Sequence, residues 1–383
     1  MRIAVAHEWL VRYAGSERVV EEILRAFPDA ELLTTLLQPD AVPVSLREAE
    51  PSFLQHVPSA TRHHEWLLPA MPLAWRLRPP VQGVDALISS SHACAKAVRF
   101  TPGIPHLCYC HAPMRYAWDF ESEKHRFPMA TRPVARLAMA WFRRWDRATV
   151  ENVDVFVANS SAVAERIARI YCRRAQVIHP PVNTDTFTPG GERTDTFLYV
   201  GRLVGYKRPD LVVDAFAGLT ERVIIVGEGH LGARLRARAT PNVLFLGEVD
   251  EDTLLGLYRT AHAVVFPGEE DFGITMAEAQ ACGTPVIGLN QGGARDIVEH
   301  GVTGWLLEAP TVAQVQAAVR RAATEELDPT EIRRRAERFS AGRFREEMTA
   351  AVEAMVVEAQ RSGGLARLRR EGSIERAAAQ ASF

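Results

Sequence analysis

The chain has 383 residues, of which 47% are hydrophobic and 24% are charged, and its formal net charge is -2. This composition is typical of a globular protein of two or three domains, and each half is long enough to bury its own core. A total charge so close to zero does not support a nucleic-acid partner. The residues up to Ile178 include 22 basic and 18 acidic side chains, and the rest include 23 and 29. The basic first half could face anionic lipid or phosphate, although chance is the simpler explanation.

The five cysteines contain no Cys-x-x-Cys pair and lie in apolar surroundings, which is typical of reduced, buried thiols in a cytoplasmic protein. The first apolar run is interrupted at once by His7 and Glu8, so it does not resemble a signal peptide. No apolar run is long enough to span a bilayer, and the histidines lack metal-ligand spacing. We therefore expect a cytoplasmic protein without a bound metal.

Short apolar runs alternate with helical patterns along the first half of the chain. They predict strands at 3–6, 85–90, 106–110 and 153–159, and helices at 17–27 and 161–171. After Pro180-Pro181, the polar segment 183–195 resembles a linker. The alternation then restarts with strands at 197–200, 223–226, 243–246, 263–266 and 285–287, and with helices at 208–219, 250–260, 275–281 and after Gly292.

This alternation predicts parallel sheets built from βαβ units, and hence an α/β fold with two doubly wound, Rossmann-like domains. We expect an N-terminal domain at 1–180 and a C-terminal domain at 181–345. A C-terminal helix and tail at 346–383 could pack back on the N-terminal domain. The stretch 328–360 is expected to be helical, and the tail beyond Ser362 to be frayed or loosely docked.

The most informative segment runs from 266 to 287. A strand ends at Phe266, a glycine-containing loop follows, and a helix is predicted to begin at Gly273–Thr275. The free N–H groups and positive dipole end of such a helix suit a phosphate. Glu270 lies before this helix and Glu278 about one turn inside it, so both could face one cleft and hold sugar diols. A glycosidase pair is the alternative, but nothing in the sequence predicts a raised pKa or a suitable separation.

The segment Gly268–Gly283 resembles the E-x7-E signature of glycosyltransferase family 4, whose members are retaining enzymes of the GT-B fold, with two Rossmann-like domains facing a cleft. Glu270 and Glu278 stand at the two acidic positions. Arg202 and Lys207 match the basic pair with which the family neutralises the donor diphosphate. Without the resemblance, a solvated turn is the favoured interpretation of these two cations, and an anion clamp is the alternative.

Motifs of the first half carry the same resemblance. His111 matches the histidine that family members place near the transferred sugar, and Gly15 lies in the family's glycine-rich loop. The family usually has two adjacent glycines there, whereas this chain has Ala14-Gly15. The runs His7-Glu8-Trp9-Leu10, Ser90-Ser91-His92 and Asn159-Ser160-Ser161 are similar to the O-antigen-type mannosyltransferase branch.

The resemblance implies a retaining transferase that moves a hexose from a nucleotide sugar, with GDP-mannose favoured, to a glycan or lipid-linked acceptor. It implies no further cofactor. Glu278 would hold the ribose and Glu270 the sugar hydroxyls, while the first domain would reach the donor when the cleft closes. Alternatives are a UDP-sugar donor, a sugar-nucleotide epimerase and a catalytically silent partner protein. The implied catalytic residues are His111 and Glu270, and the donor-binding residues are Gly15, Arg202, Lys207, Gly273, Ile274, Thr275 and Glu278.

A second motif predicts a different chemistry. Gly227, Gly229 and Gly232 form G-x-G-x-x-G after a strand, and Glu248 follows about 20 residues later. This is the pattern of an NAD-dependent oxidoreductase. A nucleotide-sugar enzyme also needs a tight turn here, so the glycines fit both interpretations.

Two basic stretches allow more than one interpretation. The amphipathic segment 133–145 could lie on a membrane near a lipid acceptor, but a packed helix whose arginines reach solvent is favoured. The run Arg333-Arg334-Arg335 is typical of a solvated helix face.

Overall fold

The computed structural model describes residues 1–119, 129, 132–361 and 363–373. The chain divides into two compact units. The first unit comprises Met1–His179 and Phe344–Phe383, and the second unit is the continuous segment Pro180–Arg343. Each unit contains one six-stranded sheet in which the paired strands are parallel. The two-domain α/β prediction is thus confirmed.

In the first unit the strand order is β2-β1-β3-β4-β5-β6. The order reverses beside β1, and the carboxyl ends of strands at such a reversal are where α/β sheets bind ligands. These strands are β1 (Ile3–His7), β2 (Glu31–Thr34), β3 (Ala86–Ser91), β4 (His106–Cys110), β5 (Val155–Ala158) and β6 (Ala175–Val177).

Before residue 180, the described part of the first unit has two short helices and three longer, amphipathic ones. The last of them begins at Ser161, as predicted, because the Ser160 hydroxyl accepts a hydrogen bond from the Val163 N–H. The described helices before residue 180 are α1 (Gly15–Ala26), α2 (Met71–Leu77), α3 (Arg115–Trp118), α4 (Arg132–Ala148) and α5 (Ser161–Tyr171).

In the second unit the order is β12-β11-β10-β7-β8-β9, the arrangement of dinucleotide-binding domains, and it reverses between β7 and β10. The strands are β7 (Thr196–Val200), β8 (Arg222–Val226), β9 (Val243–Gly247), β10 (Val264–Phe266), β11 (Val286–Leu289) and β12 (Gly304–Leu307). The helices are α6 (Pro209–Phe216), α7 (Gly232–Arg236), α8 (Glu251–Thr260), α9 (Ile274–Ala281), α10 (Ala294–Ile297), α11 (Val312–Ala322) and α12 (Pro329–Ala336).

The segment predicted as a linker is instead packed where it enters the second unit. The Phe187 side chain is 1% exposed and belongs to the core of this unit. Arg333 donates hydrogen bonds to the carbonyl oxygens of Phe187 and Thr184. The prediction that Arg333 lies on a solvated helix face is therefore wrong, because its guanidinium is hydrogen-bonded to the backbone of this segment.

The stretch 328–360, predicted to be helical, consists of two α-helices separated by a short break. After α12 comes a 3-10 turn (Glu337–Phe339) and extended Ser340, and then α13 (Ala341–Ala359) and α14 (Gly364–Glu371). One face of α13 is buried in the core of the first unit, and Arg369 of α14 pairs with Asp154 at 2.6 Å. Of the tail beyond Ser362, predicted to be frayed or loosely docked, residues 363–373 are docked and 374–383 lie outside the described residues. The buried residues of α13 are Phe344, Met348, Val352 and Met355.

Candidate functional site

The loops that follow β7 and β10 meet at the reversal of the second sheet, where they bring together two residues predicted for the site. The Lys207 ammonium lies 2.7 Å from Oε1 of Glu270. Their side chains are 14% and 17% exposed, so the pair is shielded from bulk water yet accessible to a ligand. The position agrees with the rule that ligands of α/β sheets bind at this reversal.

Two stacked aromatic rings pack near the Lys207 side chain. The Phe266 ring stacks parallel to Tyr199 with 5.7 Å between centroids, and the Lys207 ammonium lies 5.5 Å from the Phe266 centroid. A cation over an aromatic face is stabilised by the ring quadrupole. Burial, together with the negative charge of Glu270, raises the pKa of Tyr199, so its phenol stays neutral beneath the ion pair. The lysine is therefore held in one place.

Arg202 lies earlier in the same loop and is exposed. Its Nη2 donates to the Tyr206 hydroxyl at 2.9 Å. The structure therefore places both predicted cations on the loop after β7, with Lys207 anchored and Arg202 directed to solvent. This arrangement can stabilise a polyanion that approaches from solution.

The loop that carries Glu270 is fixed at both ends. The Gly293 N–H donates to the Glu270 carbonyl oxygen at 2.9 Å, and Phe272 packs edge-on against Phe339 with centroids 5.5 Å apart. Gly273 has φ +97° and caps α9, which begins at Ile274 as predicted. A side chain is strained at that φ, so the cap offers no side-chain acceptor to the first N–H groups of α9, those of Ile274 and Thr275. This helix start suits an anion.

Glu278 lies one turn into α9 and is only 4% exposed. Its Oε2 accepts a hydrogen bond of 3.1 Å from the hydroxyl of Tyr258, a fully buried residue of α8. The sequence analysis missed Tyr258, because nothing in its local pattern separates it from an ordinary core aromatic. The hydroxyl fixes the orientation of the Glu278 carboxylate.

The glycines of the dinucleotide-like motif have a packing role. A Cβ on Gly227 would lie 2.2 Å from the Gly201 carbonyl oxygen, and one on Gly229 would lie 2.4 Å from that of Leu203. No side chain fits at these distances, so the two glycines allow the loop after β8 to pack against the loop after β7. The motif is explained without a nicotinamide cofactor, since its backbone supports the loop that carries Arg202 and Lys207.

In the first unit, His7, His92 and His111 follow or end three adjacent strands, and they form a cluster. The ring centroids of His92 and His111 are 6.2 Å apart, and those of His7 and His92 are 6.3 Å apart. Burial lowers the pKa of His111 well below its ordinary value, and the charges of His92 and His7 lower it further. His111 is therefore a neutral imidazole at physiological pH. Within the described residues, no group of three or more His, Cys, Asp or Glu side chains could hold a metal ion.

The negatively charged carboxylate of Glu8 lies at the carboxyl end of the strands in the first sheet. Its buried carboxylate accepts the hydroxyl of Ser91 and the backbone N–H groups of the loop that follows β3. Burial alone would raise the pKa of Glu8, but the charge of His92 and these N–H groups hold it below its ordinary value. Glu8 thereby fills a place where a ligand phosphate could otherwise bind. The N–H donors are those of His92, Ala93, Cys94 and Ala95.

Gly15, predicted to lie in the loop after β1, is the first residue of α1. A Cβ added to it would meet no atom within 4 Å, so its surroundings are open. The structure therefore places Gly15 at an open surface, where packing within the unit does not require a glycine. The neighbouring Ala14 N–H donates to Oε2 of Glu17 at 3.0 Å, which ties this loop to the interior.

Two family models match adjoining parts of the chain. The model described as Glycosyltransferase Family 4 matches residues 13–186, and the one described as Glycosyl transferases group 1 matches residues 187–339. Together they cover residues 13–339 without a gap. The chain therefore has the domain composition of a family 4-like glycosyltransferase.

Curated relatives are consistent with these matches. A D-inositol 3-phosphate glycosyltransferase of Mycobacterium sp. (strain JLS) is 31% identical over 217 residues, which are 47% of this chain and 49% of the relative. One from Geodermatophilus obscurus is 34% identical over 253 residues, 56% of each chain. The matches thus span about half the length of these relatives.

Solved structures share the fold across almost the whole chain. A lipopolysaccharide outer core galactosyltransferase, WaaB, has a TM-score of 0.67 at 20% identity and covers 92% of this chain and 99% of its own. Anabaena HepE in complex with UDP and glucose has a TM-score of 0.69 at 17% identity, with coverages of 92% and 100%. The fold is GT-B, with two Rossmann-like domains.

Proposed function

We propose that this chain, a family 4-like glycosyltransferase by its domain composition, transfers a hexose from a nucleotide sugar to a glycan or lipid-linked acceptor. The observation that carries the proposal is the Lys207–Glu270 pair, held at the sheet reversal beside the uncapped start of α9. Lys207, Arg202 and the first turn of α9 stabilise the diphosphate as it leaves. Glu270 accepts hydrogen bonds from sugar hydroxyls, and Glu278, oriented by Tyr258, holds the ribose.

We propose retention through attack on the face from which the phosphate departs. The carboxylate at the donor site, Glu270, is already stabilised by Lys207, which weakens it as a nucleophile. In this mechanism the leaving diphosphate accepts the proton of the attacking hydroxyl. On the resemblance to the family histidine, we propose that His111 contacts the transferred sugar as a neutral imidazole.

GDP-mannose is the donor that we favour, on the resemblance of the first-half motifs to mannosyltransferases. A UDP-sugar is the second candidate, since the similar Anabaena structure holds UDP and glucose. The two donors share the diphosphate and ribose that Lys207, Arg202 and Glu278 would bind. They differ in the base and in the sugar, which the same residues do not distinguish.

Thermal unfolding with GDP-, UDP- and ADP-sugars, NAD and NADP tests the proposal directly. We expect GDP-mannose to raise the unfolding temperature more than GDP does, because the sugar adds contacts with Glu270. A larger shift with a UDP- or ADP-sugar would keep the enzyme class and replace the donor. A shift with NAD alone would overturn the proposal and move the site to the Gly227 loop.

Product analysis separates the remaining enzyme classes. A transferase releases the nucleoside diphosphate and extends an acceptor, or slowly hydrolyses the donor when no acceptor is present. An epimerase would convert the sugar of the donor without releasing the nucleotide. A silent partner protein would do neither while still binding the donor, and either result would contradict the proposed transfer.

We further propose that α4 rests on an anionic membrane surface where lipid-linked acceptors reside. One face of the helix is buried in the first unit, while Val134, Leu137 and Trp141 are 72%, 75% and 54% exposed. Their spacing places them along one stripe, and the exposed Arg136 and Arg144 lie on the same helix. Apolar contacts combined with arginines suit an interface with anionic lipid. No helix in the described ranges is long and apolar enough to cross a membrane.

Co-sedimentation with vesicles tests the α4 surface. We expect binding to vesicles that contain phosphatidylglycerol, weaker binding to pure phosphatidylcholine, and several-fold weaker binding after Leu137→Ser. Val357→Ser serves as the control, because Val357 is also exposed but lies on α13. Equal binding by both variants, or no binding by the unaltered chain, would contradict a membrane role for α4.

A further inference from the structure

A line of buried polar side chains runs from the Gly15 loop to His111. Glu17, which accepts the Ala14 N–H through Oε2, places Oε1 3.7 Å from Nε2 of His7. Nδ1 of His7 lies 3.1 Å from the Ser90 hydroxyl oxygen, and that oxygen lies 2.8 Å from Nε2 of His111. Glu17, His7 and Ser90 are each 2% exposed or less. The donor functions of the proposed site do not use these three residues.

The sheet itself creates this line. His7 ends β1 and faces Ser90 of β3 in the parallel register, although the two are 83 residues apart in the chain. His111 directly follows β4, the next strand across. Because side chains at the ends of adjacent parallel strands share one edge of the sheet, the three groups fall within hydrogen-bonding reach.

The acceptors around His7 determine where the protons lie. Nδ1 of His7 is also 3.2 Å from the Ser90 carbonyl oxygen, which can only accept, so Nδ1 carries a hydrogen. Burial alone would raise the pKa of Glu17, but its interaction with His7 at 3.7 Å lowers it to about 2, so a carboxylate faces Nε2. With Nδ1–H of His7 directed at Ser90, the serine hydroxyl hydrogen is left to point at His111.

We propose that Glu17, His7 and Ser90 are positioning residues that hold His111 as its Nδ1–H tautomer. Nε2 accepts the Ser90 hydroxyl hydrogen, so the other ring nitrogen presents a hydrogen-bond donor rather than a base. Assigning a sugar hydroxyl to that donor rests on the proposed function; the tautomer does not. The relay also connects the Gly15 loop with His111 through Glu17.

The charged and titratable neighbours of His111 agree with this assignment. His92 and His7 disfavour a second proton on the ring, whereas Glu17 acts in the opposite direction and is weaker. Tyr109 packs edge-on against the His111 ring with centroids 5.2 Å apart, and burial raises the pKa of Tyr109 so that it stays neutral. A His111 that remains neutral must adopt one tautomer, and Ser90 selects it.

Histidine-labelled NMR of the full chain measures the tautomer without any assay of activity. Long-range proton–nitrogen correlations distinguish a protonated Nδ1 from a protonated Nε2, and the spectrum of His111→Gln assigns the signal. We expect the Nδ1–H form in the unaltered chain, and a shift towards Nε2–H in Ser90→Ala and, more weakly, in Glu17→Gln. An Nε2–H tautomer in the unaltered chain would overturn the proposal.

The neighbouring serine supplies a matched control. Ser91 is also buried in β3, but its hydroxyl donates to Glu8 instead of meeting a histidine. Ser91→Ala should therefore leave the His111 signal unchanged, and Ser90→Thr, which keeps a hydroxyl, should restore the Nδ1–H form. Equal changes in Ser90→Ala and Ser91→Ala would reduce Ser90 to a packing residue and overturn the relay.

Kinetics then separate this inference from the proposed function. If the chain transfers a hexose, Ser90→Ala should lower kcat about tenfold with little change in KM, because positioning acts on the transition state. A locked tautomer in a chain without transfer would leave the relay standing and contradict the proposed function. Transfer with an unlocked tautomer would contradict only the relay.

Discussion

The two sheets of this protein are built alike but end differently. Both have six parallel strands and a reversal of strand order, which is where such sheets bind ligands. In the first unit, the Glu8 carboxylate already accepts the backbone N–H groups at this edge. In the second unit, no side chain caps the start of α9, and the loop after β7 carries Lys207, paired with Glu270, and the exposed Arg202. The comparison teaches that one fold can use a carboxylate to close an anion site in one copy and leave it open in the other.

The largest expected effect comes from removing the carboxylate that closes the first site. Glu8→Gln should lower the free energy of unfolding of the first unit by about 3 kcal/mol, because an amide cannot accept from all these buried N–H donors. Chemical unfolding measures the loss. Glu270→Gln in the second unit is the matched variant, and we expect it to cost less than about 1 kcal/mol. An equal loss in the free energy of unfolding for both variants would contradict the contrast between the two sheet ends.

Acid should weaken the first unit through Glu17. Its pKa is about 2 when folded against 4.5 ordinarily, so ionised Glu17 contributes about 3 kcal/mol of stability above pH 5. That contribution falls as pH drops from 5 towards 2, and more than half of it is lost by pH 3. The difference in the free energy of unfolding between the unaltered chain and Glu17→Gln should therefore be smaller at pH 3 than at pH 6. Glu31→Gln, at an exposed carboxylate, should show no such narrowing.

Chemistry should depend on the open site. Lys207→Ala should lower turnover by about tenfold or more, because the charge developing on the leaving diphosphate loses its nearest cation. Donor consumption under saturating substrate measures the effect. Arg208→Gln is the control, since Arg208 is the next residue but pairs with Asp210 at 3.0 Å. Normal turnover by folded Lys207→Ala would contradict the role given to Lys207.

A smaller effect is expected at Glu278. Tyr258→Phe removes the hydroxyl that orients this carboxylate, a bond worth about 1 kcal/mol, so nucleotide affinity should fall about fivefold. Calorimetric titration with the nucleoside diphosphate measures it. Tyr171→Phe deletes the corresponding hydroxyl in the first unit, where it binds Asp146, and should leave affinity unchanged. Loss of affinity in both variants would indicate general destabilisation instead.

Local patterns predicted most of the second unit and its site. Alternating apolar runs located the strands that end near Gly201 and at Phe266, and the family signature pointed to Lys207 and Glu270. Three strands were missed, Glu31–Thr34, Ala175–Val177 and Gly304–Leu307, because runs of three or four residues carry too little periodicity. Short runs of this kind are recognised as strands only through their pairing.

The polar cluster of the first unit could not be predicted in the same way. Glu17 has the pattern of an ordinary first-turn acid in a helix, and Ser90 that of a small residue at a strand end. Only the register that pairs His7 with Ser90 across 83 residues brings them to His111. A buried relay depends on contacts between distant segments, and no local pattern reports such contacts.

The division of the chain also has a consequence for its synthesis. A ribosome completes the continuous segment Pro180–Arg343 before it makes Phe344 and Met348, which fill the core of the first unit. At cellular rates of translation, that delay is roughly 10 to 30 s. During this time the nascent first unit exposes the apolar surface that α13 later covers. We therefore expect a chaperone to recognise the ribosome-bound intermediate rather than the finished protein.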